Sequence, residues 1–94
     1  MKEVFNNALL VDGINNVKTI NFFKKSLNDA GFNVLDTFQH HNKSGYFYLF
    51  LLEDSRLSIQ TKQDDNLTVI ELSSYTSENM EKLISIVDNL PEFV

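Results

Sequence analysis

The side chains of this 94-residue chain that could do chemistry are few. With no cysteine present, disulfides, thiolate metal sites and thiol nucleophiles are excluded. Ser55 stands in the stretch 53–61, between the most apolar run of the sequence, 46–52, and a second run of strand composition, 67–72, so the chain reverses direction near it. At such a reversal a serine hydroxyl ordinarily satisfies a nearby backbone group. Activated by a neighbouring proton acceptor, the same hydroxyl is a nucleophile. His40-His41 have no carboxylate at ligand spacing and lie in a polar segment, which reads as a solvated pair. Asp64-Asp65 sit in a turn without the remaining ligands of a calcium loop, so no metal is expected. There is no phosphate-binding glycine loop and no hydrolase triad.

The elements that must position Ser55 follow from apolar spacing. Ala8-Leu9-Leu10-Val11, closed by Asp12-Gly13, reads as a first strand ending in a turn. Asn15-Asn16 then offers caps or a loop. Val17, Ile20, Phe23, Leu27 and Ala30 recur with the period of a helix buried on one face, and Gly31 follows where a left-handed C-cap is expected. Residues 32–38 have strand composition with Phe32, Val34 and Phe38 on one side, and the polar run 39–45 reads as a hairpin connection. Residues 46–52 are apolar at every position, so both faces of that strand are expected to be covered. Strands are expected over 56–62 and 67–75, joined by a turn at Gln63-Asp64-Asp65-Asn66. Thr76 or Ser77 caps a last helix, with Glu78 and Glu81 early, an apolar face of Met80, Leu83, Ile84, Val87 and Leu90, and Pro91 at its end. The order implies an α+β two-layer sandwich: a mostly antiparallel sheet with two helices on one face.

Ninety-four residues suit one small domain, 1–94, with a single core. The net charge of -5 and scattered lysines provide no basic stripe for nucleic acid. The first residues lack the apolar core of a signal peptide, and no apolar run approaches the length of a membrane span. A cytoplasmic protein without nucleic-acid or membrane partners is the expectation. Two helices can cover only one face of the sheet, so the other is expected to pack against a second copy, giving a homodimer.

Residues 53–61 resemble the self-cleavage segment of the prokaryotic S-adenosylmethionine decarboxylases, whose pattern runs Glu-Ser-His-Leu-Ser-Ile-His-Thr-Trp-Pro-Glu. Ser55, Leu57, Ser58, Ile59 and Thr61 fall in register with it. The likeness extends as a pattern from about Ala30-Gly31 to Tyr75, and more loosely through 8–12 and the last helix; only the nine-residue centre is specific. It implies a pyruvoyl enzyme of polyamine metabolism. In that family the serine hydroxyl attacks the preceding carbonyl, here that of Asp54, and elimination cuts the chain and leaves a keto group derived from Ser55. That group condenses with the substrate amine and takes up the electrons released as carbon dioxide departs.

The departures from the pattern are specific. Arg56 replaces a histidine, and Gln60 replaces the second histidine, which is implicated in processing; an amide does not take up a proton near neutral pH. Lys62-Gln63 stands for Trp-Pro, Asp64 keeps the acid, Tyr75 aligns with the cysteine proton donor, and Phe47 aligns with a small hydroxyl residue. The resemblance thus makes Ser55, Asp54, Tyr75 and Gln60 the catalytic candidates, and Asp64, Arg56 and Ser58 the substrate-binding ones. Two readings follow. One is a self-processing decarboxylase acting on S-adenosylmethionine or a smaller amino acid. The other is a non-catalytic protein that binds an adenosyl ligand, or regulates by dimerising with itself or with an active paralogue.

Overall fold

The computed structural model describes residues 4–12, 16–62, 64 and 67–91. Their elements run β1 (Phe5–Asp12), α1 (Asn16–Asp29), β2 (Val34–Asn42), β3 (Gly45–Leu52), β4 (Ser55–Lys62), β5 (Leu67–Ser74) and α2 (Ser77–Asp88). The strands form an antiparallel sheet in the order β1-β5-β4-β3-β2, and both helices lie on one of its faces, as the α+β reading expects. Val11, one residue before the end of β1, is half-buried; the turn expected at Gly13 and the cap at Asn15 fall outside the described residues, as do Gln63, Asp65 and Asn66.

The covered face of the sheet carries the core. Strand pleating puts alternate residues on it. Tyr48, Phe50 and Leu52 from β3, Leu57 and Ile59 from β4, and Ile70 and Leu72 from β5 are buried there against Ile20, Phe23 and Leu27 of α1 and Met80, Leu83, Ile86 and Val87 of α2. α1 ends as its sequence requires. Gly31 sits at φ 85°, its N–H donates to the Asn28 carbonyl at 3.1 Å, and the Phe32 N–H donates to the Leu27 carbonyl at 3.0 Å. Thr76 caps α2, its hydroxyl accepting from the Asn79 N–H at 3.1 Å.

Three expectations are corrected. The run 39–45 is not a loop: β2 continues through Asn42, leaving only Lys43 and Ser44 to connect, so His40 and His41 lie on an edge strand. β2 is exposed along its length, which is why polar residues suit it. A bulge between Val34 and Asp36 switches the pleat, so Val34 lies opposite the buried Leu52 while Phe38 lies opposite Leu49 on the other face. Val17 is 70% exposed, and Thr19 takes the buried place on α1. Within this chain β3 is covered on one side only: Phe47 and Leu49 are half-buried and Leu51 is exposed on the other.

Gly45 opens β3 where two backbones approach closely. A Cβ there would overlap the Thr61 carbonyl oxygen on β4. Because the obstacle is backbone, Gly45→Ala is expected to destabilise by about 1–3 kcal/mol through displacement of the β3–β4 ladder. Urea denaturation checks this, and an unchanged midpoint would refute it.

Candidate functional site

Ser55 is the first residue of β4, directly after the two-residue turn Glu53-Asp54. Asp54 adopts φ 61°, and among the described residues it alone, apart from glycine, has positive φ. A hairpin of type I′ would need positive φ at both loop residues, so this turn is of another kind, with its strain on the residue whose carbonyl precedes Ser55. Aspartate tolerates that region better than most side chains, yet the conformation still costs on the order of 1 kcal/mol. The Glu53 N–H donates to the Asn33 carbonyl at 3.2 Å, which ties the turn to the start of β2.

Two donors converge on the Asp54 carbonyl oxygen. The Tyr75 N–H donates to it at 3.0 Å and the Ser74 hydroxyl at 3.4 Å. The Ser55 hydroxyl donates to Ser74 Oγ at 2.9 Å, and Ser74 Oγ also accepts from the Thr76 N–H at 3.1 Å. Both serines are withdrawn from solvent, Ser55 at 7% and Ser74 at 1% exposure. Register explains the meeting: Ser55 opens β4 directly opposite Ser74, which closes β5. The carbonyl next to the candidate nucleophile is therefore polarised by hydrogen bonds, the arrangement that steadies a developing oxyanion.

A cavity of about 310 Å³ at this end of the sheet is lined by Val4, Leu51, Asp54, Ser55, Arg56, Ser73, Ser74 and Tyr75. Asp54, Ser55, Arg56 and Tyr75 all border it, Arg56 from the opposite face of β4. Tyr75 contributes differently from the sequence expectation. Its side chain is 61% exposed, and its backbone N–H makes the contact to Asp54.

Other candidates lie elsewhere. Gln60 is on the opposite face of β4 from Ser55, about 16 Å further along at roughly 3.3 Å per residue. It pairs directly across the ladder with Phe47, so the two positions where the processing histidine and the small hydroxyl were expected face each other, away from Ser55. Asp64 is exposed in the β4–β5 turn, at the far end of β4. Arg56 and Ser58 point to the uncovered face and border a broader depression of about 660 Å³ with Phe47, Leu49, Glu71 and Ser73. Sequence reasoning missed Ser74. The expected strand over 67–75 includes it, but only the register that pairs Lys62 with Leu67 places residue 74 across from residue 55.

Among the described residues, no group of three or more histidine or acidic side chains could hold a metal ion, and no helix is long and apolar enough to cross a membrane. No family model matches this chain, and no curated protein sequence matches it significantly. In structure it is similar to the adenosylmethionine decarboxylase from Aquifex aeolicus VF5, with a TM-score of 0.67 at 14% identity over 93% of this chain and 79% of that one. The likeness is one of fold: the five strands and two helices form an adenosylmethionine decarboxylase-like α+β arrangement.

Proposed function

We propose that this chain is an adenosylmethionine decarboxylase-like protein of polyamine metabolism whose 54–55 bond is built for self-cleavage at Ser55. One observation carries the reading: the Asp54 carbonyl, at a residue with φ 61°, receives hydrogen bonds from Tyr75 N–H and Ser74 Oγ while the Ser55 hydroxyl lies buried beside it. Left-handed backbone raises the starting state and the two donors lower the tetrahedral one, so both act on the same barrier. The residues fit formation of a pyruvoyl group from Ser55, since the hydroxyl, the carbonyl and its donors adjoin one cavity. Such a group supplies an electron sink for decarboxylation of an amino-acid substrate.

The chain's own residues have assignable tasks. Tyr75 N–H and Ser74 hold the oxygen that gains charge, and the β3–β4 ladder fixes the turn. Arg56, which borders the cavity beside Ser55, would orient the charged group of a small molecule, an adenosyl compound or an amino acid. Intact mass of fresh and aged protein under denaturing conditions tests the reading. Fragments 1–54 and 55–94 support it, and one unchanging 10.8 kDa species removes it.

One observation favours a second reading, a non-catalytic binding or regulatory protein. No imidazole, amine or carboxylate among the described residues hydrogen-bonds to Ser55 or Ser74. The same mass measurement separates the two.

In either case the partner proposed for the uncovered face is a second copy. Phe38, Leu51 and Leu10 are exposed there, Phe47 and Leu49 lie between them, and Arg56 and Glu71 give it both charge signs on adjacent strands. A two-fold contact can match each sign with its opposite. Sedimentation across a hundredfold concentration range is expected to show a dimer. A strict monomer at the highest concentration would remove this partner.

A further inference from the structure

We propose that Ser74 is the proton carrier for the rearrangement at the 54–55 bond, so that a pair of hydroxyls performs there what an ionisable base would otherwise do. The inference rests on the reading of Ser55 as the self-cleaving residue. Its ground is the direction of three hydrogen bonds. Ser55 Oγ donates to Ser74 Oγ at 2.9 Å, Ser74 Oγ donates to the Asp54 carbonyl oxygen at 3.4 Å, and the Thr76 N–H, 3.1 Å away, occupies a lone pair of Ser74 Oγ. The proton that must leave the nucleophile and the oxygen that must receive one are therefore joined through one atom. The second contact is long in the resting state, and such contacts shorten as the acceptor gains negative charge.

The step balances without an outside acid or base. As Ser55 Oγ bonds to the Asp54 carbonyl carbon, the C=O π pair moves to oxygen. The Ser55 proton passes to Ser74, and the proton Ser74 already held passes to that oxygen. The product is a neutral tetrahedral adduct, with Ser74 again a hydroxyl. On collapse the C–N bond breaks with its electron pair on nitrogen, which gains a proton as the adduct hydroxyl releases one, leaving an ester and an amine. Tyr75 N–H stays on the oxygen throughout as a fixed donor.

Among the described residues, no competing base is in contact with either serine. Opposite Ser74 on β1 is Phe5, and no ionisable side chain lies among the described residues at this end of that strand. Glu53 and Asp54 of the turn, Tyr75, and Glu78 and Glu81 of α2 are exposed, Glu78 being ion-paired with Lys82 at 3.8 Å. Arg56 is on the other face. His40 and His41 lie opposite Phe47 and Tyr46, about 16–20 Å along the sheet from Leu52, the partner of Ser55.

The test incubates the native chain, Ser74→Ala and Ser74→Cys from pH 5.5 to 9, treats samples with hydroxylamine at one fixed pH to cut every ester formed, and follows scission of the 54–55 bond by intact mass, with melting curves to show that each is folded. The native rate is expected to be flat with pH, because neither hydroxyl titrates in that range. Ser74→Ala is expected to slow scission about 100-fold or more. Ser74→Cys restores an exchangeable proton on an ionisable atom, so its rate is expected to change with pH near the ordinary thiol value of about 8.5, and this variant decides if the alanine one fails to fold. A purely structural role would not create that pH dependence. Native-rate scission in folded Ser74→Ala, or a native rate falling tenfold per unit below about pH 7, overturns the carrier while leaving Ser55 in place. If the native chain shows neither scission nor a hydroxylamine-sensitive ester at residue 55, the Ser55 reading falls and the carrier with it.

Discussion

Ser55→Ala is expected to remain one chain of 10.8 kDa under conditions in which the native sequence is cut between residues 54 and 55. Removing the hydroxyl removes the only atom that can attack the Asp54 carbonyl from the following residue, so the loss is complete. The fold is expected to survive. The lost hydrogen bond to Ser74 is worth about 1 kcal/mol, and Ser74 keeps its contacts with Thr76 N–H and the Asp54 carbonyl. A melting point within a few degrees of the native one therefore accompanies the loss of cutting. The chemistry of the new end provides a second check. Rearrangement and elimination leave the piece that begins at residue 55 lighter by one ammonia than simple hydrolysis would, with a ketone that reacts with hydrazides. Scission that persists in Ser55→Ala, or a new end that is an ordinary serine amine, would assign the cut to contaminating protease or to acid lability at Asp54.

Phe50→Ala carries the largest expected effect on stability. Phe50 has no exposed surface, stands opposite Leu57 across the β3–β4 ladder, and places its ring 4.8 Å from that of Tyr48. It lies two residues before Leu52, the partner of Ser55 in the sheet, so it anchors the strand that leads into the strained turn. Deleting a buried phenyl group costs about 3–5 kcal/mol, the sum of lost transfer energy and the cavity left behind. Domains of this size are stable by about 5–15 kcal/mol, so the change removes a large share and lowers the melting point by roughly 15–30 °C. Thermal and urea denaturation measure it. A loss below about 1 kcal/mol would mean that the core can close over the gap, and that β3 does not hold the turn in place.

The fold was legible in the sequence wherever burial is one-sided. α1 and α2 announce themselves by apolar spacing, and β3, β4 and β5 by composition and by the turns between them. β2 was only half legible. An edge strand exposed along its length needs no apolar alternation, so Gln39, His40, His41 and Asn42 resemble a loop until their pairing with β3 is seen. The bulge at Leu35 has no compositional signature, and it alone turns Phe38 to the uncovered face. Val17 follows the helical period of α1 but sits at its exposed first turn, where period no longer decides burial.

The candidate site was legible as a position rather than as a mechanism. Ser55 is conspicuous only through its resemblance to a known segment, because composition alone makes it a turn serine. Its working neighbours are two backbone N–H groups and a second serine, and backbone groups carry no residue signature. Gln60 and Asp64 are candidates through the resemblance alone, which carries no information on distance from Ser55. The pleat of β4 and its length put the first on the other face and the second beyond the far end.

The order β1-β5-β4-β3-β2 determines what a broken 54–55 bond would leave behind. The first piece would hold β1, α1, β2 and β3, and the second β4, β5 and α2. β4 and β5 lie in the interior of the sheet, flanked by β1 on one side and β3 on the other, so the shorter piece is clasped between two arms of the longer. A nicked molecule would therefore travel through non-denaturing separations as a single body, two polypeptides interlocked by two full ladders.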